Sequence, residues 1–207
     1  DKLQSGYAPK FSAHRDAITL NPKLFARIKA LHDARATLGL DAVDQRLLER
    51  RYDDFVRGGA ALTEAQKARI REINTEKSKL GTQFGQNVLA EVNASAIVVD
   101  TRAELAGMSD EQIAGAAEAA KARGLEGKYV IALLNTTGQP AEAQLHNRAL
   151  RERLHTASVA RGSRGNQYDN TAIVARVAKL RAERAALLGY ATHAHYVLED
   201  ETALTPD

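Results

Sequence analysis

Apolar residues recur at helical spacing along most of the chain, and capping residues mark where the helical segments begin and end. Asn21 followed by Pro22 predicts a helix start, and Gly39 supplies a left-handed stop. Asp41 predicts the start of a second helix, which carries an apolar face as far as the glycine pair at 58–59. These segments predict two consecutive helices joined by a short turn.

The same signals predict further helices along the chain. Thr63 and Gln66 form a capping box, after which apolar residues recur at helical spacing to about Glu91. The later helices also have a capping or stop residue, and they are predicted from Pro140 to about Arg161, from Asn170 to Gly189 and from Thr192 into the chain end.

Two short apolar runs interrupt the helical pattern. Residues 97–99 are β-branched, and residues 129–134 form a second apolar run of strand length. Between them, Ser109 and Gln112 form a capping box that opens an alanine-rich helix ending at Gly124. The predicted fold is therefore mainly α, a helical domain with a small β-α-β insertion.

The composition excludes several classes of protein. The chain has 207 residues, of which 44% are hydrophobic and 27% charged, so it can bury a core and is not disordered. It has no cysteine, which excludes a disulfide framework, a cysteine-ligated zinc site and a thiol nucleophile. No apolar stretch approaches the roughly 20 residues of a membrane helix, so no membrane partner is expected. Because the chain starts at Asp1 and its single methionine is Met108, we expect a piece of a longer protein.

The polar residues show no pattern typical of a catalytic site. A helical zinc hydrolase site needs two histidines four residues apart, and no two of the six histidines have that spacing. His195 and Glu199 would form only a weak two-ligand site, and a histidine at a helix edge is the better interpretation. Motifs for a serine nucleophile or a phosphate loop are absent from the sequence. We therefore predict neither catalytic nor metal-binding residues in this chain.

A basic segment covers residues 141–190, with nine lysines and arginines against four acidic residues. Nucleic-acid binding would favour aromatic residues among them for base stacking, and only Tyr168 and Tyr190 are present. Some of the arginines are better explained by ion pairs that hold helices together or hold this chain to a neighbouring domain, although a solvated helix face explains them equally well. The candidates are Arg148, Arg151 and Arg184.

Four blocks are the most distinctive part of the sequence, at residues 7–28, 105–109, 133–151 and 181–190. They include Leu-Leu-Gly-Tyr at 187–190, an Arg-x-x-Arg spacing that starts at Arg148, and Asn-Thr-Thr at 135–137. Together, and in this order, the blocks resemble the bacterial peptidyl-dipeptidases (dipeptidyl carboxypeptidases), a branch of the thimet-oligopeptidase-like zinc metallopeptidases. The first two motifs are typical of the whole family, and Asn-Thr-Thr is typical of the peptidyl-dipeptidase branch.

The resemblance implies that residues 1–207 are part of the helical N-terminal region of a larger peptidase, whose catalytic zinc domain lies outside this chain. In the parent enzyme, zinc would be the cofactor and short peptides the substrates, which would lose dipeptides from their C-terminus. The chain would form scaffold and a wall of the substrate cleft, bind no zinc and be inactive alone, with the catalytic domain as its partner. The expected compartment is the cytoplasm, with the periplasm as the alternative.

Other interpretations of the same residues stay open. Tyr168 and Tyr190 could reach the peptide cleft, although core packing fits Tyr190 well because it lies beside a helix stop. Without its partner domain the chain would expose apolar faces, which favour self-association. The alternative function is a stand-alone helical module that binds a partner protein or nucleic acid through residues 141–190. A salt-dependent affinity for nucleic acid would favour that alternative.

Overall fold

The computed structural model describes residues 2–134 and 136–207, so Asp1 and Asn135, the first residue of the Asn-Thr-Thr run, lie outside the described residues. The predicted mainly α fold with a small sheet is confirmed. The elements, in chain order, are α1 (Lys2–Thr19), α2 (Pro22–Asp33), a 3-10 turn (Arg35–Thr37), α3 (Ala42–Gly58), α4 (Glu64–Ala94), β1 (Ile97–Val99), a second 3-10 turn (Arg102–Leu105), α5 (Asp110–Lys121), β2 (Tyr129–Ile131), α6 (Gly138–Gln144), α7 (Arg148–Val159), α8 (Thr171–Leu187) and α9 (His193–Leu198).

Local capping explains why the predicted helices begin and end close to where they do. The Asn21 side chain accepts hydrogen bonds from the backbone N–H groups of Lys23 and Leu24 at 3.0 and 3.1 Å, which satisfies two free donors at the start of α2. After α3, Gly59 takes a left-handed conformation with φ of 106°, which only glycine adopts without strain. The two capping boxes are confirmed at Thr63 and Ser109.

One predicted helix is two helices in the structure. The sequence pattern predicts a single helix from Pro140 to about Arg161, but the chain leaves the helical conformation at Leu145, where ψ is 131°. The His146 N–H donates to the carbonyl of Ala106 at 2.8 Å, and Asn147 caps the new helix by accepting from the Leu150 N–H at 3.1 Å. The prediction was wrong here because the apolar residues on both sides of Asn147 continue the helical spacing, so the N-cap signal of this asparagine was passed over.

The strand pair also differs in detail from the prediction. β2 ends at Ile131 rather than at residue 134, because the chain turns and the Thr137 hydroxyl donates to the Ala132 carbonyl at 2.7 Å. β1 and β2 pair antiparallel, with Val98 opposite Val130, so the helix between them is not the crossover of a parallel pair.

α1 lies outside the predicted elements. Gly6 and Pro9 both lie inside it, and both residues disfavour a helix interior. Three of its exposed apolar residues nevertheless follow a helical spacing of four, at Leu3, Tyr7 and Phe11. No helix in the described part of the chain is long and apolar enough to cross a membrane.

The chain divides into two compact units, which we call the split unit (Asp1–Gln83 with Ile173–Asp207) and the central unit (Phe84–Ala172). In the split unit α2 packs on α3, and the fully buried apolar residues include Leu20, Ile70, Ile73 and Leu180. In the central unit α5 packs on β2 and α6 on α7 around one continuous apolar cluster. That cluster contains Val99, Leu105, Ile113, Ile131, Leu133, Ala141, Leu145, Leu150 and Leu154.

Candidate functional site

Two of the predicted ion-pair residues lie at the start of α7 in the central unit. The Arg151 guanidinium donates to the backbone carbonyls of Leu145 at 2.5 Å and His146 at 3.1 Å. It therefore satisfies carbonyl groups left free just after α6. Arg148 is exposed and lies beside Arg151 at a shallow depression of about 360 Å³. Arg151 thus bonds to backbone of the same chain, and Arg148 is exposed to solvent.

The third candidate, Arg184, lies in the split unit against an aromatic ring. Its guanidinium carbon is 4.7 Å from the ring centroid of Tyr196, and that of Arg57 is 4.8 Å from the same ring. Such stacking is a cation–π contact. Arg57 also forms an ion pair with the Glu199 carboxylate. The Tyr196 ring thus contacts two guanidinium groups, those of Arg57 and Arg184.

The two tyrosines that the sequence singles out are both partly buried. The Tyr190 hydroxyl donates to Glu199 Oε2 at 2.5 Å, and its ring packs edge-on against Tyr196 with 5.2 Å between centroids. Burial, followed by the hydrogen bond to Glu199, raises the pKa of Tyr190 to about 12. Tyr168 lies in the loop between α7 and α8, where its backbone N–H donates to the Asn166 side chain at 2.9 Å.

Side chains from several helices of the split unit surround a depression that we call the polar cavity. Its volume is about 850 Å³, and its lining comes from α1, α3, α4, α8 and α9 with Asp200 just beyond α9. This volume is within the range of small-molecule sites. Its positively charged and titratable lining residues on these helices include Arg15, Arg57, Lys77, Arg184 and His193.

A buried carboxylate forms part of the wall of the polar cavity. Asp16 is 6% exposed, and its Oδ1 accepts a hydrogen bond from Asn74 Nδ2 at 2.8 Å. Its other oxygen, Oδ2, is buried and has no hydrogen-bond partner among the residues that the structure describes. Burial raises the pKa of Asp16, while Asn74 and the nearby arginines oppose that shift. Asp16 therefore keeps one acceptor atom that the described residues do not satisfy and that protein atoms shield from solvent.

At Lys77 and His193, burial disfavours a positive charge rather than a negative one. Burial lowers the pKa of the Lys77 ammonium, and repulsion by Arg184 and Arg181 adds to the shift. Burial and the same cations lower the pKa of His193, which favours the neutral imidazole. These groups therefore lie in a positive field with reduced hydration.

Sequence reasoning missed Asp16, Asn74 and Lys77 as members of a site. A signal existed on α4, because residues 70, 73, 74 and 77 share one helical face and the first two are fully buried isoleucines. Polar residues on an otherwise buried face indicate a polar contact or a cavity. Which α1 residues would meet them depends on tertiary packing that the sequence pattern does not contain.

A second polar cluster, in the central unit, is fully satisfied by the protein. Glu91 is 2% exposed, and its Oε1 accepts from Arg164 Nε at 2.7 Å while Oε2 accepts from the Gly162 N–H at 2.5 Å. Nearby, Asn170 accepts from Asn87 Nδ2 at 2.9 Å. These contacts hold the loop before α8 against the α4 residues of the same unit, so this cluster is structural.

The histidines do not form a metal site with their neighbours. His195 Nδ1 lies 2.8 Å from the Thr192 hydroxyl, and Glu199, four residues on, accepts from Arg57 and Tyr190. In residues 2–134 and 136–207, no group of three or more histidine, aspartate or glutamate side chains could hold a metal ion.

Sequence comparison relates the chain to known peptidases. Residues 142–207 match Peptidase family M3. The chain is 41% identical over 206 residues to the dipeptidyl carboxypeptidase of Escherichia coli (strain K12), which covers 100% of this chain and 30% of that protein. Identity to the dipeptidyl carboxypeptidase of Salmonella typhimurium is 42% over 205 residues, or 99% of this chain and 30% of that protein.

A more distant relative has a different peptidase name. Oligopeptidase A of Escherichia coli (strain K12) is 29% identical over 202 residues, or 96% of this chain and 30% of that protein. The chain thus spans about 30% of the length of the curated relatives that it matches. The resemblance drawn from the four sequence blocks is confirmed: over nearly its whole length the chain is similar to dipeptidyl carboxypeptidases, and residues 142–207 match Peptidase family M3.

Proposed function

We propose that the chain is the helical N-terminal region of a zinc metallopeptidase that removes dipeptides from the C-terminus of short peptides. One observation carries the proposal: the whole chain aligns at 41% identity with a dipeptidyl carboxypeptidase while spanning only 30% of that protein. In this proposal the chain supplies scaffold and a wall of the substrate cleft. The catalytic domain of the same enzyme is its partner, and peptides are the substrates.

The zinc ion of such an enzyme would be held outside this chain. The described residues do not fit zinc, because His195 is engaged by Thr192 and Glu199 by Arg57 and Tyr190. A zinc site also needs three protein ligands directed at one point, which the described residues do not provide. We therefore assign no chemical step to this chain. Its contribution would be to position the peptide substrate and to enclose the cleft.

The contacts of the basic segment support scaffold over nucleic-acid binding. Five of the eight arginines there bond to carbonyls or carboxylates of the same chain, which leaves those five less available to phosphates. The bonded pairs are Arg151 with Leu145, Arg153 with Val98, Arg161 with Leu133, Arg164 with Glu91 and Arg176 with Glu76.

The direct test is a chimera in which this chain replaces the aligned 30% of the Escherichia coli dipeptidyl carboxypeptidase. We expect the chimera to release dipeptides from the C-terminus of a short peptide, and a zinc chelator to stop the release. A folded chimera without this activity would contradict the proposal. Binding of the isolated chain to nucleic acid, weakening with salt, would then favour the helical binding module.

The cleft wall can be tested in the same chimera. Tyr168 is the better candidate of the two tyrosines, because the Tyr190 hydroxyl is taken up by Glu199. If Tyr168 faces the cleft, Tyr168→Ala raises KM for the peptide several-fold with little change in kcat. Tyr7→Ala, at an exposed tyrosine of α1, serves as the control. Equal effects of the two substitutions would contradict a cleft position for Tyr168.

A further inference from the structure

We infer that the polar cavity of the split unit binds a small molecule through an oxyanion group, a phosphate or a carboxylate, with Lys77 and Arg184 as the residues that bind the anion. Such a site goes beyond the proposed function and does not depend on peptide cleavage. The cavity, at about 850 Å³, has room for an organic molecule in addition to its charged group.

The balance of charge in the cavity wall favours an anion. Two of the three carboxylates in the wall already have arginine partners outside it, since Asp54 pairs with Arg51 and Asp200 pairs with Arg50. Of the wall cations, Arg57 pairs with Glu199. For Arg15, Lys77 and Arg184 no carboxylate lies at ion-pair distance among the residues that the structure describes. Only Asp16 remains to balance these three cations.

Desolvation makes an anion at Lys77 favourable. The Lys77 side chain is partly buried, and the nearby arginines Arg184 and Arg181 repel its ammonium group. A buried cation without a counter-charge is costly, and an oxyanion between Lys77 and Arg184 would supply both the charge and the hydrogen-bond acceptors. His193, in the same wall, would donate from its imidazole N–H.

One further feature indicates what else the ligand carries. The Tyr196 ring, already stacked by Arg184, offers a flat apolar surface at the same cavity. The structure thus favours a small amphipathic molecule with an oxyanion at one end and an apolar, ring-stacking part at the other.

The experiment titrates the full chain with sodium phosphate and, separately, with sodium acetate, each against sodium chloride at matched ionic strength. Isothermal titration calorimetry measures binding, and the ring resonances of His193 in NMR spectra report on the cavity without any substitution. We expect saturable binding of one anion per chain and a shift of the His193 resonances. The anion that binds more tightly identifies the source of the oxyanion, phosphate or carboxylate.

Two substitutions assign the site to its residues. Lys77→Met and Arg184→Gln should each weaken anion binding by about tenfold or more, since each removes a charge-assisted hydrogen bond. Lys79→Met is the matched control, because Lys79 is an exposed lysine on the same helix and does not line the cavity. Binding to Lys79→Met should equal that of the unchanged chain.

Two results would overturn the inference. In the first, neither phosphate nor acetate moves the His193 resonances more than chloride does. In the second, Lys79→Met loses as much affinity as Lys77→Met, which would indicate a diffuse surface effect. Should Lys77→Met fail to fold, Arg184→Gln and the His193 resonances of the unchanged chain still decide the question.

Discussion

The split unit and the central unit handle buried charge in different ways. In the central unit both oxygens of Glu91 are bonded, to Arg164 and to the backbone of Gly162, beside a continuous apolar cluster. In the split unit Asp16 keeps one oxygen unsatisfied, and Lys77 faces other cations at an open cavity. Saturated polar groups stabilise a fold, whereas unsatisfied ones indicate a position where a ligand can contribute.

The largest effect is expected from Glu91→Gln, which removes the buried counter-charge of the Arg164 guanidinium; the Glu91 side chain is 2% exposed and that of Arg164 23%. Breaking a buried ion pair costs about 3–5 kcal/mol of unfolding free energy. Glu76→Gln is the control on the same helix, because Glu76 pairs with Arg176 at 2.6 Å but both side chains are more than a third exposed. An exposed pair contributes at most about 1 kcal/mol. Urea-induced unfolding, followed by circular dichroism, measures the unfolding free energy of each variant. Equal losses of unfolding free energy in Glu91→Gln and Glu76→Gln would contradict the contrast between the units.

A smaller loss is expected from Tyr190→Phe in the split unit. The substitution removes the hydrogen bond to Glu199, a loss of about 1 kcal/mol. Because the folded pKa of Tyr190 is raised to about 12 from an ordinary 10.0, the stabilisation is present below pH 10 and is lost as the pH rises towards 12. Urea unfolding at several alkaline pH values should show that the unfolding free energy of Tyr190→Phe falls less steeply with pH than that of the unchanged chain. Tyr7→Phe should leave the profile of the unchanged chain.

The smallest effect has the opposite sign. Burial raises the pKa of Asp16, so between its unfolded and folded pKa values the unfolded state binds fewer protons and stability falls as the pH rises. Asp16→Asn removes this cost and keeps an acceptor for Asn74, so it should raise the melting temperature at neutral pH. The gain should vanish below the ordinary pKa of 3.8, where the Asp16 carboxyl is protonated in both states.

The control for this measurement is Asp53→Asn, at an exposed aspartate of α3, which should change the melting temperature little at either pH. A lower melting temperature for Asp16→Asn at neutral pH would mean that the arginines near Asp16 stabilise its charge by more than burial costs. The surroundings of the Asp16 carboxylate would then stabilise its charge, as those of Glu91 do.

The sequence predicts the features of this fold that depend on neighbouring residues. The cap at Asn21, the left-handed Gly59 and the capping box at Ser109 act within one helical turn, so their positions can be predicted without tertiary structure. The break before α7 could not be predicted, because Leu145 is apolar and continues the helical pattern while the turn depends on a bond to distant Ala106.

The candidate site was harder to predict than the fold. The carbonyl partners of Arg151 and the ring beneath Arg184 come from residues that only the folded chain brings near. Charge patterning indicated that these arginines have partners without identifying them. The polar cavity was missed because its residues come from five helices that are distant in sequence.

The central proposal is that this chain is the helical N-terminal region of a zinc metallopeptidase whose zinc is held by residues outside it. The most direct measurement incubates the purified chain with zinc and a short peptide and follows dipeptide release by mass spectrometry. The account predicts no release above a protein-free control at any zinc concentration. Steady, chelator-sensitive release by the chain alone would contradict it, because its own residues would then have to form a catalytic metal site.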